Sequence, residues 1–158
     1  ADYIDWGSGE FGWLHKYSSK GNEVIIKGYE FDLKYSLKKI NINYNHSFVH
    51  GDNKTLDRPL SYMNPMKQIF IFKFLENKFS YQLRLTKIHS QDRVGEFEIP
   101  TNGAFLTDFV VTFNLNNHHL TVQFNNVFDQ KYYNHLSRIK DLIPEPGSHI
   151  NLNYKLVL

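Results

Sequence analysis

The sequence predicts an all-β chain made of antiparallel transmembrane β-barrel strands, and three observations carry that reading. Apolar and polar residues alternate one by one along most of the 158 residues, the signature of a strand with two different faces. The connections between alternating segments are short and long by turns. Aromatic residues make up 16% of the chain, led by 13 Phe and 10 Tyr, yet the longest aliphatic and aromatic run is only Ile69 to Phe72. A transmembrane helix needs roughly 18 apolar residues in a row.

The strands follow in order. Tyr3–Trp6 is a short first candidate. Near 23–35, Tyr29, Phe31, Leu33 and Tyr35 are separated by Glu30, Asp32 and Lys34. Near 38–49, Ile40, Ile42 and Tyr44 alternate with Asn41, Asn43 and Asn45. The segment 67–75 alternates least cleanly, because Ile69 and Ile71 sit opposite Phe70, Phe72 and Phe74. Near 78–90, Phe79, Tyr81, Leu83 and Leu85 alternate with Ser80, Gln82, Arg84 and Thr86. Phe109, Val111, Phe113 and Leu115 mark 104–115, and Leu120, Val122 and Phe124 mark 119–127. The last strand sets Ile150, Leu152, Tyr154, Leu156 and Leu158 against Asn151, Asn153 and Lys155.

Short turns are expected around Ser36–Leu37, Glu76–Asn77 and Asn116–His118, and long connections at Gly7–Asn22, His50–Met66, Gln91–Gly103 and Phe128–Ser148. Tight turns at one end and extended loops at the other are the pattern of an outer-membrane barrel, whose strands also run to about ten residues. Soluble sandwiches and lipocalin-like binding barrels alternate as well, with one face in a core. Glu30, Asp32, Lys34, Arg84 and Asn153 in mid-strand favour a wet lumen on one face and lipid on the other.

Composition excludes several classes. Charge is nearly balanced, 18 basic against 16 acidic residues, so no large field favours nucleic acid. Cysteine is absent, which removes disulfides, thiolate catalysis and cysteine metal sites. Ala1–Trp6 lacks the basic start and apolar stretch of a signal peptide, so a mature product or a fragment is expected.

Residues 120–158, LTVQFNNVFDQKYYNHLSRIKDLIPEPGSHINLNYKLVL, resemble the C-terminal region of TonB-dependent receptors. That region has an alternating strand, N-x-F-[DN]-x-x-Y, a long loop, P-x-P-G and a final strand. Asn126, Phe128, Asp129, Tyr132, Pro144, Pro146 and Gly147 occupy the matching positions, in structural roles. IKGYEFDLKY (26–35) and RPLSYMNPM (58–66) are similar to earlier family segments, so the likeness runs from about Asn22 to Leu158. Ser148 stands where the family usually has Arg, and the chain ends in Leu158 where Phe or Trp is common.

The resemblance implies that residues 1–158 are the C-terminal portion of a 22-stranded barrel, about seven or eight strands, without the plug domain. Its implied partners are outer-membrane lipid, the remaining barrel strands and plug, a TonB complex reached through an N-terminal segment, and a small-molecule or metal-complex cargo, with no nucleic acid. Its implied place is the outer membrane of a Gram-negative bacterium, and its implied activity is active uptake of a scarce nutrient. By family frequency the cargo is an iron–siderophore complex, then haem, cobalamin or another metal complex. Alternatives are a stand-alone eight-stranded barrel serving as anchor or adhesin, or a soluble lipocalin-like barrel. No cofactor is implied.

Candidate chemistry is sparse. No Ser/His/Asp order, phosphate loop or HExxH helix is present, so no enzyme is expected. His118 and His119 point to opposite faces of a strand. His46, His50 and His89 lie near long loops and read as polar lumen residues. Met63 and Met66 are soft donors of the kind copper takes, although MNPM sits where the family has an apolar loop end. Glu96 and Glu98 read as a solvated loop edge. Within a complete receptor, Tyr133, Arg138 and Lys140 are the loop residues expected to contact an anionic, ring-rich ligand, and the chain by itself is expected not to hold a pocket.

Overall fold

The computed structural model describes residues 2–5, 16–19 and 21–157, the first two stretches as backbone. Every regular element among them is a β-strand: β1 (Asp2–Asp5), β2 (Lys16–Ser19), β3 (Val24–Leu37), β4 (Ile40–Asn53), β5 (Arg58–Pro59), β6 (Lys67–Leu75), β7 (Phe79–Ile88), β8 (Ala104–Leu115), β9 (His118–Asn125) and β10 (His149–Leu156). β1 and β2 form their own antiparallel ribbon. The rest form one sheet in the order β3-β4-β6-β7-β8-β9-β10, antiparallel throughout, with β5 paired to the end of β4.

The period of two in the sequence becomes straight rows across all seven strands. One row reads Tyr35, Ile42, Phe72, Leu83, Phe109, Phe124, Ile150, and the next reads Leu37, Ile40, Phe74, Tyr81, Val111, Val122, Leu152. Between them runs Ser36, Asn41, Lys73, Gln82, Val110, Gln123, Asn151. Because strand side chains alternate, the first two rows share one face and the third takes the other. Phe31, Leu83, Phe113 and Leu152 therefore lie on the apolar face, and Glu30, Arg84, Asn125 and Asn153 on the polar one.

Nothing among the described residues buries that apolar face. Among the described residues Leu106 is the single buried hydrophobic side chain, while Phe31 is 50% exposed, Ile150 65% and Leu152 71%. The accessible surface is 11388 Å², against about 8,300 Å² for a compact soluble chain of this mass. A soluble sandwich or lipocalin-like barrel would hide these rows inside a core. β3 and β10 are the two edges of the sheet and do not pair with each other, so the described sheet is open rather than a closed eight-stranded barrel. Their exposure along almost their whole length follows from having only one neighbour.

Several boundaries differ from the sequence expectation. The first turn falls at Lys38–Lys39, not Ser36–Leu37, because Leu37 and Ile40 still pair in the apolar row. Lys38 takes a φ of 49° to close it. β4 continues past His50 to Asn53, and β5 folds back on it, so the stretch expected as loop from His50 begins as strand. β2 lies within Gly7–Asn22, where a loop was expected. Trp6 and Leu158 lie outside the described residues. Gly28 is needed where β3 meets β4: a Cβ there would sit 2.5 Å from the Phe48 carbonyl oxygen.

Candidate functional site

The three connections 54–66, 89–103 and 126–148 emerge at the same end of the sheet, because each follows an even number of sheet-spanning strands, counted from β3. Loops of this length need polar partners for their backbone. Here much of that need is met by a buried ionic cluster centred on Glu98.

The Glu98 side chain is 2% exposed, His135 1% and Lys140 6%. Glu98 Oε2 accepts the backbone N–H groups of Tyr62 at 3.0 Å and Gly95 at 3.1 Å. Glu98 Oε1 receives Lys140 Nζ at 3.1 Å and lies 2.8 Å from His135 Nε2, a close approach whose angle does not make a formed hydrogen bond. Lys140 Nζ also donates to the His135 carbonyl at 3.0 Å and approaches His135 Nδ1 at 3.3 Å, while Thr101 Oγ1 lies 2.9 Å from the same nitrogen. An ammonium can only donate, so Nδ1 is the acceptor and the ring proton belongs on Nε2, toward Glu98. The Lys140 ammonium lies 5.6 Å from the centre of the Tyr62 ring. One carboxylate thus joins all three loops.

The electrostatics follow from this geometry. Burial alone would raise the Glu98 carboxyl, but the Tyr62 and Gly95 N–H groups and Lys140 outweigh it and hold the group below its ordinary 4.5. Burial, and then Lys140, push His135 below 6.5, and Glu98 only partly opposes them. The resting cluster is therefore carboxylate, neutral imidazole and ammonium. Around it, Arg58 pairs with Glu96, and Arg93 reaches His50 and donates to Asp52 at 2.6 Å.

A second polar knot closes the root of 126–148. Asn126 is 4% exposed with a φ of 47°. Its N–H donates to Asp108 at 2.9 Å, its Nδ2 donates to the carbonyls of Gln130 at 2.9 Å and Pro146 at 3.4 Å, and its Oδ1 accepts the Gln130 N–H at 2.9 Å. Asp129, φ 50°, accepts the Ser148 N–H at 2.8 Å. Asn and Asp tolerate this left-handed backbone better than other residues with a Cβ. A Cβ on Gly147 would collide with Asp129 Oδ1, so the glycine lets the two ends of the loop close. The Tyr132 carbonyl accepts the Glu145 N–H at 2.9 Å. Phe128 stands 75% exposed, and Pro144 is exposed.

The residues expected to contact ligand are not equivalent in place. Arg138 is exposed and Tyr133 half-buried with Lys131 5.7 Å from its ring centre. Lys140, by contrast, spends its charge on Glu98 and is not presented outward. Glu98 is not a solvated loop edge either, because Lys140 and the two N–H groups draw it inward. Sequence reading missed His135 altogether; its one signal was a lone His five residues before Lys140 in a loop otherwise rich in exposed apolar side chains. His46, His50 and His89 are not lumen residues: the register places His46 opposite Phe31, on the apolar face, His50 shares its parity, and His89, one step beyond β7, shares that of Leu83 and Leu85. His118 pairs with the Tyr154 hydroxyl at 2.6 Å and His119 with Asn114 at 2.7 Å. Among the described residues, no three His, Asp or Glu side chains gather as a metal site.

No protein-family model matches this chain, and no curated protein matches it. Solved structures do. One, named copper transporter OprC, superposes with a TM-score of 0.88 over 98% of this chain at 18% sequence identity. The chain spans 26% of that structure's length. At this identity the likeness is one of fold: an open antiparallel sheet here corresponds to about a quarter of a larger solved chain.

Proposed function

We propose that this chain is the C-terminal part of the barrel wall of an outer-membrane receptor that takes up a scarce nutrient with energy delivered through TonB. The single observation that carries the reading is the uncovered apolar face. Rows of Phe, Tyr, Leu, Ile and Val run unbroken across seven strands, opposite a face of Asn, Gln, Lys and Arg. Lipid on one side and a wet lumen on the other satisfy both. Strands β3 and β10 carry unpaired edges, which cannot stand in lipid, so further strands must complete the ring. The long loops face outward and the turns at Lys38, Asn77 and Asn116 face the periplasm. The cargo class we favour is an iron–siderophore complex, from the family resemblance, with haem, cobalamin and other metal complexes as related cargoes. The matched structure's name adds copper to these.

The test uses cells carrying the full-length gene product. Fractionation should place it in the outer membrane, and accumulation of radiolabelled ferric siderophore should depend on both the receptor and an intact TonB system. Location outside that membrane would overturn the barrel reading. Uptake indifferent to TonB would overturn the energy coupling.

A further inference from the structure

The strand register sorts the charged residues of the wall by face. On the apolar face of β3, β4 and β6 to β10, Lys27, Asp52 and Lys87 are the only Asp, Glu, Lys or Arg side chains among the described residues. All three lie toward the long loops. The polar face, by contrast, carries charge along its whole height, from Glu30 and Lys67 down to Lys34, Lys73 and Lys155. A cation on a lipid-facing strand is costly at the middle of the membrane and cheap at its margin. The three charges therefore mark a boundary.

Lys27 and Lys87 stand at one level of the wall. Lys87 pairs with Phe105 and, through Gln68 and His46, shares the row of Phe31, four residues along β3 from Lys27. The strands are also staggered. The β3–β4 turn closes on the row of Leu37, Ile40 and Val111, whereas β8 runs four residues past Val111, to Leu115, before its own turn. Four strand steps separate those hairpins, so the stagger is one residue per strand. Over the three steps from β3 to β7 it brings Lys27 and Lys87 within one residue of the same height. Ten residues lead from Lys27 to Leu37 on β3, and ten from Phe105 to Leu115 on β8. At about 3.4 Å per residue and a tilt of about 40°, each stretch rises about 25 Å, the height of an outer-membrane apolar band. Both lysines thus sit at its outer margin. Aromatic rings gather there too: Tyr29 and Phe48 lie 5.6 Å apart between ring centres, and Phe105 is 52% exposed.

Arg93 adds a third cation to this level. Lys27 is opposite His50 in the β3–β4 register, and the Arg93 side chain reaches the His50 ring and donates to Asp52 Oδ1 at 2.6 Å. Asp52, the one carboxylate of this face, also lies 3.7 Å from Lys54 Nζ. Lys27 and Lys87 are exposed, and among the described residues neither ammonium has a hydrogen-bond or ion-pair partner. Lysines at a membrane margin lay their stems on the apolar surface and turn their heads to anionic headgroups. At the turn end this face carries no such charge, so the attraction is confined to one leaflet. We infer that Lys27, Arg93 and Lys87 form a cationic belt that holds the phosphate groups of an outer-leaflet glycolipid, whose acyl chains lie on the apolar rows below. Three strand spacings put the two lysines about 14 Å apart across the sheet, which suits a lipid with phosphate at more than one point. That this face meets lipid rests on the receptor reading above.

The experiment measures binding of diphosphoryl lipid A to the full-length detergent-purified protein by native mass spectrometry. It compares the wild type with Lys27→Gln/Lys87→Gln and with Lys34→Gln/Lys73→Gln, which removes the same charge from the polar face. Heat-modifiable migration on gels reports folding, and Lys87→Gln alone carries the comparison should the first double variant misfold. The wild type and the polar-face variant are expected to hold the lipid equally, and Lys27→Gln/Lys87→Gln at least tenfold more weakly. Dephosphorylated lipid A should bind the wild type no better than diphosphoryl lipid A binds that variant. Unchanged binding by Lys27→Gln/Lys87→Gln, equal loss in both double variants, or equal affinity for the dephosphorylated lipid would overturn the belt. Displacement of the lipid by millimolar inorganic phosphate would overturn it in favour of a site for the free anion. Fractionation and TonB-dependent uptake of the same proteins keep the two readings apart. Outer-membrane location and intact uptake with unchanged lipid binding remove the belt alone; a wild type located elsewhere removes the receptor reading.

Discussion

Removing the Glu98 carboxylate is expected to release three loops at once. In Glu98→Ala the Tyr62 and Gly95 N–H groups lose their acceptor, and Lys140, 6% exposed, loses its counter-ion. Breaking one partner out of a buried pair costs about 3–5 kcal/mol, because the other charge stays buried. Hydrogen exchange of backbone amides in the full-length protein is the assay. Its best reporters are Gln91 and Thr101, which bond each other across loop 89–103 and make no bond to Glu98. With each 1.4 kcal/mol worth a factor of ten, their exchange should accelerate by about a hundredfold to a few thousandfold, or to the unprotected limit. Lys140→Met combined with Glu98→Ala should cost less than the sum of the two single changes, since no charge is then left unpaired. Strict additivity, or exchange at Gln91 and Thr101 within threefold of wild type, would refute the claim that this carboxylate holds the loops. Acid should act in the same direction. His135 and Glu98 both have lowered native values, so the open form binds protons more readily and loop stability rises with pH. It should be complete above 6.5 and fall as pH drops below that through the native value of His135, then again below 4.5 through that of Glu98. Loop protection, corrected for intrinsic exchange, that is flat between pH 7 and 4 would contradict this.

Three further outcomes are expected. Leu83→Arg, on the apolar face, should destabilise the full-length barrel in lipid vesicles by about 2–4 kcal/mol in denaturant titrations, and Gln82→Arg on the polar face by far less; equal tolerance would mean that the faces are reversed. Cysteines at Lys54 and Arg138, both exposed, should react with an impermeant thiol reagent on intact cells while one at Asn77 does not, and the opposite pattern would invert the orientation. Asn53 and Lys140 are unsuitable labelling sites, being 2% and 7% exposed. Asn126→Ala should lower stability by about 2–4 kcal/mol, from three side-chain hydrogen bonds at about 1 kcal/mol each and a left-handed backbone that Ala adopts at a further cost of about 1 kcal/mol. Unfolding curves that coincide with wild type would show that the knot does not hold the loop.

What the sequence determined by itself was everything carried by local alternation. Tyr29, Phe31, Leu33 and Tyr35 against Glu30, Asp32 and Lys34 set a strand and its two faces without reference to any partner, because strand side chains alternate whatever lies beside them. The same rule placed Leu83 with Phe113 and Leu152, and the short turns marked which strands are neighbours. Motif positions 126–132 and 144–147 were also legible, although not that Asn126 bonds Gln130 and Pro146 directly. Where alternation gave no anchor, the tertiary structure decided. Leu37 and Ile40 belong to strands only because register pairs them, and β4 runs to Asn53 only because β5 lies against it. Glu98, His135 and Lys140 are 37 and 5 residues apart along the chain, in segments with no repeating pattern. A buried ion pair leaves no periodic trace, since it depends on where loops meet rather than on the spacing within any one of them.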